Sequence, residues 1–139
     1  MYRIKNIVQE LTKKYKTNNP FEIADYMNIK IFYDNLGSNI NGFYQYHARN
    51  KLIHINKNID DMNKLIVCGH ELGHAVLHSK LNILFLEKNT LFVKSKFELE
   101  ANRFAAELLI PKDLIDTFIA KYPCFTLEQI AALKLTPGV

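Results

Sequence analysis

The sequence predicts an α+β fold: a small, mostly antiparallel sheet packed beside one apolar helix, with further helices toward the C-terminus. Three observations predict it. Runs of alternating apolar residues fall between positions 29 and 56. Apolar residues at helical spacing precede and follow them. Two of the alternating runs flank a short polar stretch, the mark of a hairpin. The chain has 139 residues, which is the size of one domain, so residues 1–139 are read as a single unit.

Ile4, Ile7, Val8, Leu11 and Tyr15 recur at helical spacing and predict a helix over 2–16. Asn19-Pro20 opens a second helix, with asparagine as N-cap and proline in the first turn. Ile29-Lys30-Ile31-Phe32-Tyr33 alternates as a strand does, and residues 34–39 carry turn chemistry. Residues 42–47 and 51–56 form two strands joined around His47-Ala48-Arg49-Asn50. Asp60 or Asp61 caps the next helix, which runs to about His78. Residues 80–95 have no clean period and read as an apolar connection. Residues 96–110 are helical, Pro111 ends that helix and opens another over 112–121, and Thr126-Leu127-Glu128-Gln129 is a capping box for a last short helix.

Composition excludes several classes. Charges in residues 1–16 interrupt any secretory signal, and no apolar run reaches the roughly eighteen residues of a membrane span. Two cysteines, Cys68 and Cys124, make no disulfide framework, so a cytoplasmic protein is expected. The net charge of +4 is spread along the chain and gives little reason for direct nucleic-acid binding. Residues 127–133 are weakly like the first helix of a helix-turn-helix, but no recognition helix follows.

The chemistry is concentrated in Cys68-Gly69-His70-Glu71-Leu72-Gly73-His74-Ala75-Val76-Leu77-His78. His70 and His74 stand one turn apart on one helix face and can share a metal ion. Zinc suits them, since it takes nitrogen and carboxylate ligands and keeps a position for water. Glu71, rotated by about 100°, can take a proton from that water as general base. The flanking Leu65, Ile66, Leu72, Val76 and Leu77 mark a core helix, where unpartnered polar groups are costly. Gly69 and Gly73 imply close approach of another backbone. His78 lies about 12 Å along the axis from His70, too far to share the ion, and reads as a hydrogen-bonding partner of the site or a polar helix end.

The third ligand comes from residues 98–107. Phe97, Ala101, Phe104, Ala105, Leu108 and Leu109 share one helix face. Glu98 projects on the flank of that face, with Asn102 one turn on to hold it or a histidine. Glu100, Arg103 and Glu107 project to the opposite side. The rival is that Ser95 and Glu98 form a capping box, which would leave Glu100 as the ligand.

In these residues the chain resembles the ImmA/IrrE family of zinc-dependent metallo-endopeptidases. The likeness rests on residues 70–78 together with residues 98–111, and on Gly42-Phe43-Tyr44 and Ile53-His54-Ile55-Asn56 upstream. It implies a zincin-like fold, zinc on His70, His74 and Glu98, and Glu71 as catalytic base. It also implies a phage or mobile-element anti-repressor that cleaves a helix-turn-helix repressor. The short chain fits the compact type, without the sensory domain of longer members.

On this reading the substrate lies extended along an edge strand, with residues 42–47 as the candidate. The developing oxyanion needs a donor besides the metal. Tyr44, Tyr46, His47, His54 and Tyr122 are candidates between which the sequence does not choose. The competing reading is a zinc-containing module that captures a repressor without cutting it. Glu71 opposes it, because a closed structural zinc site has no use for an adjacent base.

Overall fold

The computed structural model describes residues 2–81 and 91–134. Helix α1 (Tyr2–Tyr15) buries Ile4 and Val8. Helix α2 (Pro20–Tyr26) starts as its sequence dictates: Asn19 Oδ1 accepts from the Phe21 N–H at 2.9 Å, and Pro20 occupies the first turn, where no N–H is needed.

Strands β1 (Lys30–Asp34), β2 (Gly42–His47) and β3 (Asn50–Asn56) form one sheet in the order β1-β3-β2. β2 and β3 are an antiparallel hairpin, with Tyr44 opposite Ile53. Ala48 and Arg49 make the turn at φ 49° and 65°, as a two-residue hairpin loop requires. β1 pairs with the other side of β3 and runs parallel to it. The expected mostly antiparallel sheet is therefore corrected to a mixed one. The cause is the loop 35–41, which carries the chain past the end of β3 so that β1 and β2 are not neighbours. Asn56, 2% exposed, holds that loop: its Nδ2 donates to the Gly37 and Ile40 carbonyls at 2.8 and 2.9 Å, and its backbone N–H donates to the Asn41 carbonyl.

Helix α3 (Asp61–Leu77) lies across one sheet face, over Tyr44, Ile53 and Ile55. Of the two candidate aspartates it is Asp60 that caps it, accepting from the Asn63 N–H at 2.8 Å. Helix α4 (Leu91–Leu109) packs along α3. Helix α5 (Lys112–Lys121) follows Pro111. Helix α6 (Leu127–Ala131) has both halves of its capping box, Thr126 with Gln129.

Two further expectations change. The connection over 80–95 falls partly outside the described residues, and its last part, from Leu91, is already helix. Ser95 thus lies inside α4 and cannot be its N-cap, which removes the capping-box alternative for Glu98. Glu100 and Glu107, projected to the outer side, are covered instead. α4 has two covered faces, one against α3 and one against α1, where Arg3 Nη2 meets Glu100 Oε2 at 3.1 Å. Leu99, 39% exposed, faces outward in their place.

Candidate metal centre

The site is built where α3 and α4 touch most closely. A Cβ on Gly73 would sit 3.0 Å from Phe104 Cβ and 3.2 Å from Ala101 Cα; one on Gly69 would sit 3.2 Å from Leu109 Cδ1. The two glycines therefore let α4 approach, as their positions imply. The approach brings Glu98 to the histidine face of α3.

His70, Glu71 and His74 are all buried, and each offers a ligand atom within 4.8 Å of the others. His70 Nε2 lies 3.1 Å from Glu98 Oε2, and His74 Nε2 lies 2.9 Å from Glu98 Oε1. Two ligands of one tetrahedral zinc, each bonded at about 2.0–2.1 Å, stand about 3.3 Å apart. The separations of Glu98 from His70 and from His74 are close to that spacing. Glu71 Oε2 is farther out, 3.9 Å from His70 Nε2. Two imidazoles and a carboxylate are a donor set suited to zinc, so these residues could hold such an ion.

The electrostatics follow from burial and proximity. Burial alone would raise Glu98, but hydrogen bonds and charge from His70 and His74 outweigh it and hold the carboxyl well below its usual range. Burial pushes Glu71 up against the pull of His70 and His74. Burial pulls His70 down, yet Glu71, Glu98 and Asn102 together raise it. His70 Nδ1 is buried and has no hydrogen-bond partner among the described residues.

His78 is the C-cap of α3, and its Nδ1 lies 3.0 Å from His74 Nδ1. Asn102 adds to the groups around His70, and its Nδ2 donates to the Phe125 carbonyl at 3.2 Å, tying the approach to α6 against α4. Beside the site is a cleft of about 300 Å³, lined by His70, Glu71, Glu98, Asn102 and residues that the sequence did not mark as site side chains: Asn41, Gly42, Thr126 and Glu128. Two local signals mark these: the capping box at 126–129 and the Asn-Gly pair that begins β2.

None of the five oxyanion candidates lines this cleft. Tyr44 O–H donates to the Ser79 carbonyl at the end of α3. Tyr46 continues β2 away from the cleft, and His47 is exposed at its far end. His54 faces away from α3, stacked between Phe32 and Phe43 and bonded to Asp34 and Gln45. Tyr122 caps α5 and packs on Phe118.

The fold and the site together define an α+β protein with a buried His-Glu-His group at an open cleft. The chain belongs to the peptidase family described as the IrrE N-terminal-like domain, which it matches over residues 24–133. It is 48% identical over 135 residues to "Uncharacterized immunity region protein 2" of Bacillus phage phi105, covering 97% of this chain and 84% of that protein. It is 37% identical over 137 residues to "Metallopeptidase ImmA" of Bacillus subtilis (strain 168), covering 97% and 79%. Both the family and the second relative's name support a metallopeptidase with a metal cofactor. Among the described residues no helix is long and apolar enough to cross a membrane.

Proposed function

We propose that this protein is a zincin-like, zinc-dependent endopeptidase of one domain that acts in the cytoplasm on a helix-turn-helix repressor. The observation that carries this reading is the convergence of His70, His74 and Glu98 donor atoms with the buried Glu71 carboxylate beside them, open to the cleft. The relatives' names, one from a phage immunity region and one a metallopeptidase, support a repressor-related target.

His70 and His74, through Nε2, and Glu98 would hold the metal. When bound, the metal supplies Lewis-acid polarisation and lowers the pKa of water at the site. Glu71 takes the proton of the attacking water and passes it to the leaving amine. Its burial keeps competing solvent from the carboxylate and raises its affinity for that proton.

The start of β2 gives the substrate a place to lie. β2 is an edge strand of the described sheet. Because Asn41 accepts from Asn56, the alternation of an antiparallel ladder turns the backbone N–H and C=O of Gly42 and Tyr44 away from β3. Gly42 lines the cleft, and a Cβ there would meet Val67 Cγ1 at 2.6 Å and the His54 carbonyl at 2.8 Å. Glycine thus lets the strand lie against α3 beside Glu71. An extended peptide pairing with this edge would pass its scissile bond by the site.

The test is Glu71→Gln. Glutamine keeps the shape of glutamate but cannot take the proton, and general-base contributions run to about 10²–10⁴-fold. Cleavage of the repressor encoded beside the gene should fall by at least that factor, while zinc content and repressor capture persist. Equal relief of repression by both forms with no fragments from either overturns the protease reading in favour of capture without cutting.

A further inference from the structure

His74 is backed by a chain of groups that reaches the N-terminal helix. We propose that Arg3, Glu100 and His78 form a positioning relay that fixes the ring orientation and tautomer of His74 and so governs metal retention. The inference rests on the reading of His74 as a ligand.

With His74 Nε2 given to a metal, the distances assign the remaining protons of the relay. A His74 that gives Nε2 to a metal carries its ring proton on Nδ1, which lies 3.0 Å from His78 Nδ1. That contact needs one donor and one acceptor, so His78 Nδ1 must be unprotonated and its proton must sit on Nε2. His78 Nε2 is 2.9 Å from Glu100 Oε1, a carboxylate oxygen that accepts it. The other oxygen, Glu100 Oε2, accepts from Arg3 Nη2 at 3.1 Å. Each atom in the relay has one role, and both imidazoles are neutral. A doubly protonated His78 would set two N–H groups against each other at His74.

Burial makes the relay binding on the site. His78 and Glu100 are 6% and 8% exposed, so neither can exchange its partner for water at low cost. The Phe97 ring, 4.5 Å from the His78 ring, blocks it from swinging aside. Arg3 supplies the positive charge that a buried carboxylate requires. His70 has Asn102 beside its ring but no such chain behind it, since its Nδ1 is without a hydrogen-bond partner among the described residues. His74 is thus the ligand fixed from behind. Partners that orient a ligand in this way are typically worth about 10–100-fold in metal affinity.

The experiment compares His78→Phe, His78→Gln, Arg3→Ala and His74→Ala with wild type. Zinc affinity is measured by chelator competition, and the His74 Nδ1–H proton of the zinc-loaded protein by NMR. Thermal unfolding of the metal-free forms shows that each variant folds. Phenylalanine fills the space of His78 but accepts no hydrogen bond, so His78→Phe should lose about 10–100-fold in affinity and the slow-exchanging proton. The carbonyl of glutamine can accept from His74, so His78→Gln should recover much of both. Arg3→Ala should lose less, because the Arg3 side chain is 60% exposed. Zinc affinity in His78→Phe and Arg3→Ala within about twofold of wild type, with His74→Ala abolishing it, overturns the relay alone. Zinc retained in His74→Ala overturns the ligand assignment beneath it.

Discussion

Adding one methyl group at Gly73 should loosen the metal site by pushing α4, which carries Glu98, away from α3. An alanine Cβ there would lie 3.0 Å from Phe104 Cβ and 3.2 Å from both Phe104 Cγ and Ala101 Cα. Carbon atoms in contact prefer about 3.5–4.0 Å, so α4 must back away by roughly half an ångström or more. Overpacking of this kind costs about 1–3 kcal/mol, and replacing a helical glycine returns about 1 kcal/mol. The net loss is about 0–2 kcal/mol. Gly69→Ala differs, because its nearest neighbour at 3.2 Å is the tip of the flexible Leu109 side chain and the next is Ala105 Cβ at 3.5 Å. It should be neutral or stabilise by about 1 kcal/mol. Both variants gain the same helix propensity, so they should differ by the overpacking cost, about 1–3 kcal/mol or roughly 3–10 °C in Tm for a chain of this size. The metal should report the same displacement. Ala101 is one turn from Glu98, and metal–ligand bonds tolerate only about ±0.2 Å. Denaturant unfolding of the metal-free proteins and chelator competition of the loaded ones measure both effects. A Gly73→Ala protein as stable as Gly69→Ala, holding zinc equally well, refutes the close-contact reasoning.

Three further outcomes are expected. Glu98→Ala removes the carboxylate proposed as ligand, whereas Glu100→Ala removes only the group behind His78; chelator competition should show the larger loss for Glu98, and the reverse order would remove Glu98 from the proposed ligand set. Thr126→Ala takes away the acceptor for the Gln129 N–H and should cost about 0.5–2 kcal/mol, read as lost hydrogen-exchange protection over 127–131; unchanged protection would show that the cap does not hold α6. Burial, then the neighbouring Tyr46, pushes Tyr44 up to about 12, so the folded protein holds that proton more tightly than an unfolded chain titrating near 10. Its contribution is complete below about pH 10 and is lost as pH rises through about 12, so the stability gap between wild type and Tyr44→Phe should narrow between pH 8 and pH 11 in urea melts.

The histidine face was legible because helix geometry is local: i and i+4 share a face whatever packs around them. The flank position of Glu98 is legible for the same reason, and the two glycines mark the contact that brings it beside the histidines. What could not be read depends on distant parts of the chain. The burial of Glu100 needs α1, whose Arg3 lies 97 positions away, so projecting α4 against a single covered face misplaced it. The parallel pairing of β1 with β3 needs the Asn56 side chain to hold loop 35–41, and alternation along a strand does not encode which neighbour it takes. The oxyanion candidates are chosen by residue type, whereas the whereabouts of the four in the hairpin follow from which face of β2 or β3 each occupies, and that of Tyr122 from the end of α5. Asn41 and Gly42 reach the cleft through that same loop.

The hairpin turn exerts control at a distance. Ala48 and Arg49 both sit in the left-handed region, which costs an L-residue about 1–2 kcal/mol. Gly42 is about 20 Å away along the strand. Yet the number of residues in the turn decides which atoms Gly42 offers to the cleft. A one-residue slip would exchange the faces of β2, turning Tyr44 outward, Phe43 onto α3, and the Gly42 amide toward β3. An Asn-Gly pair at 48 and 49 would relieve the strain and leave the register untouched. The turn can thus change in composition without moving Gly42, but it cannot change in length.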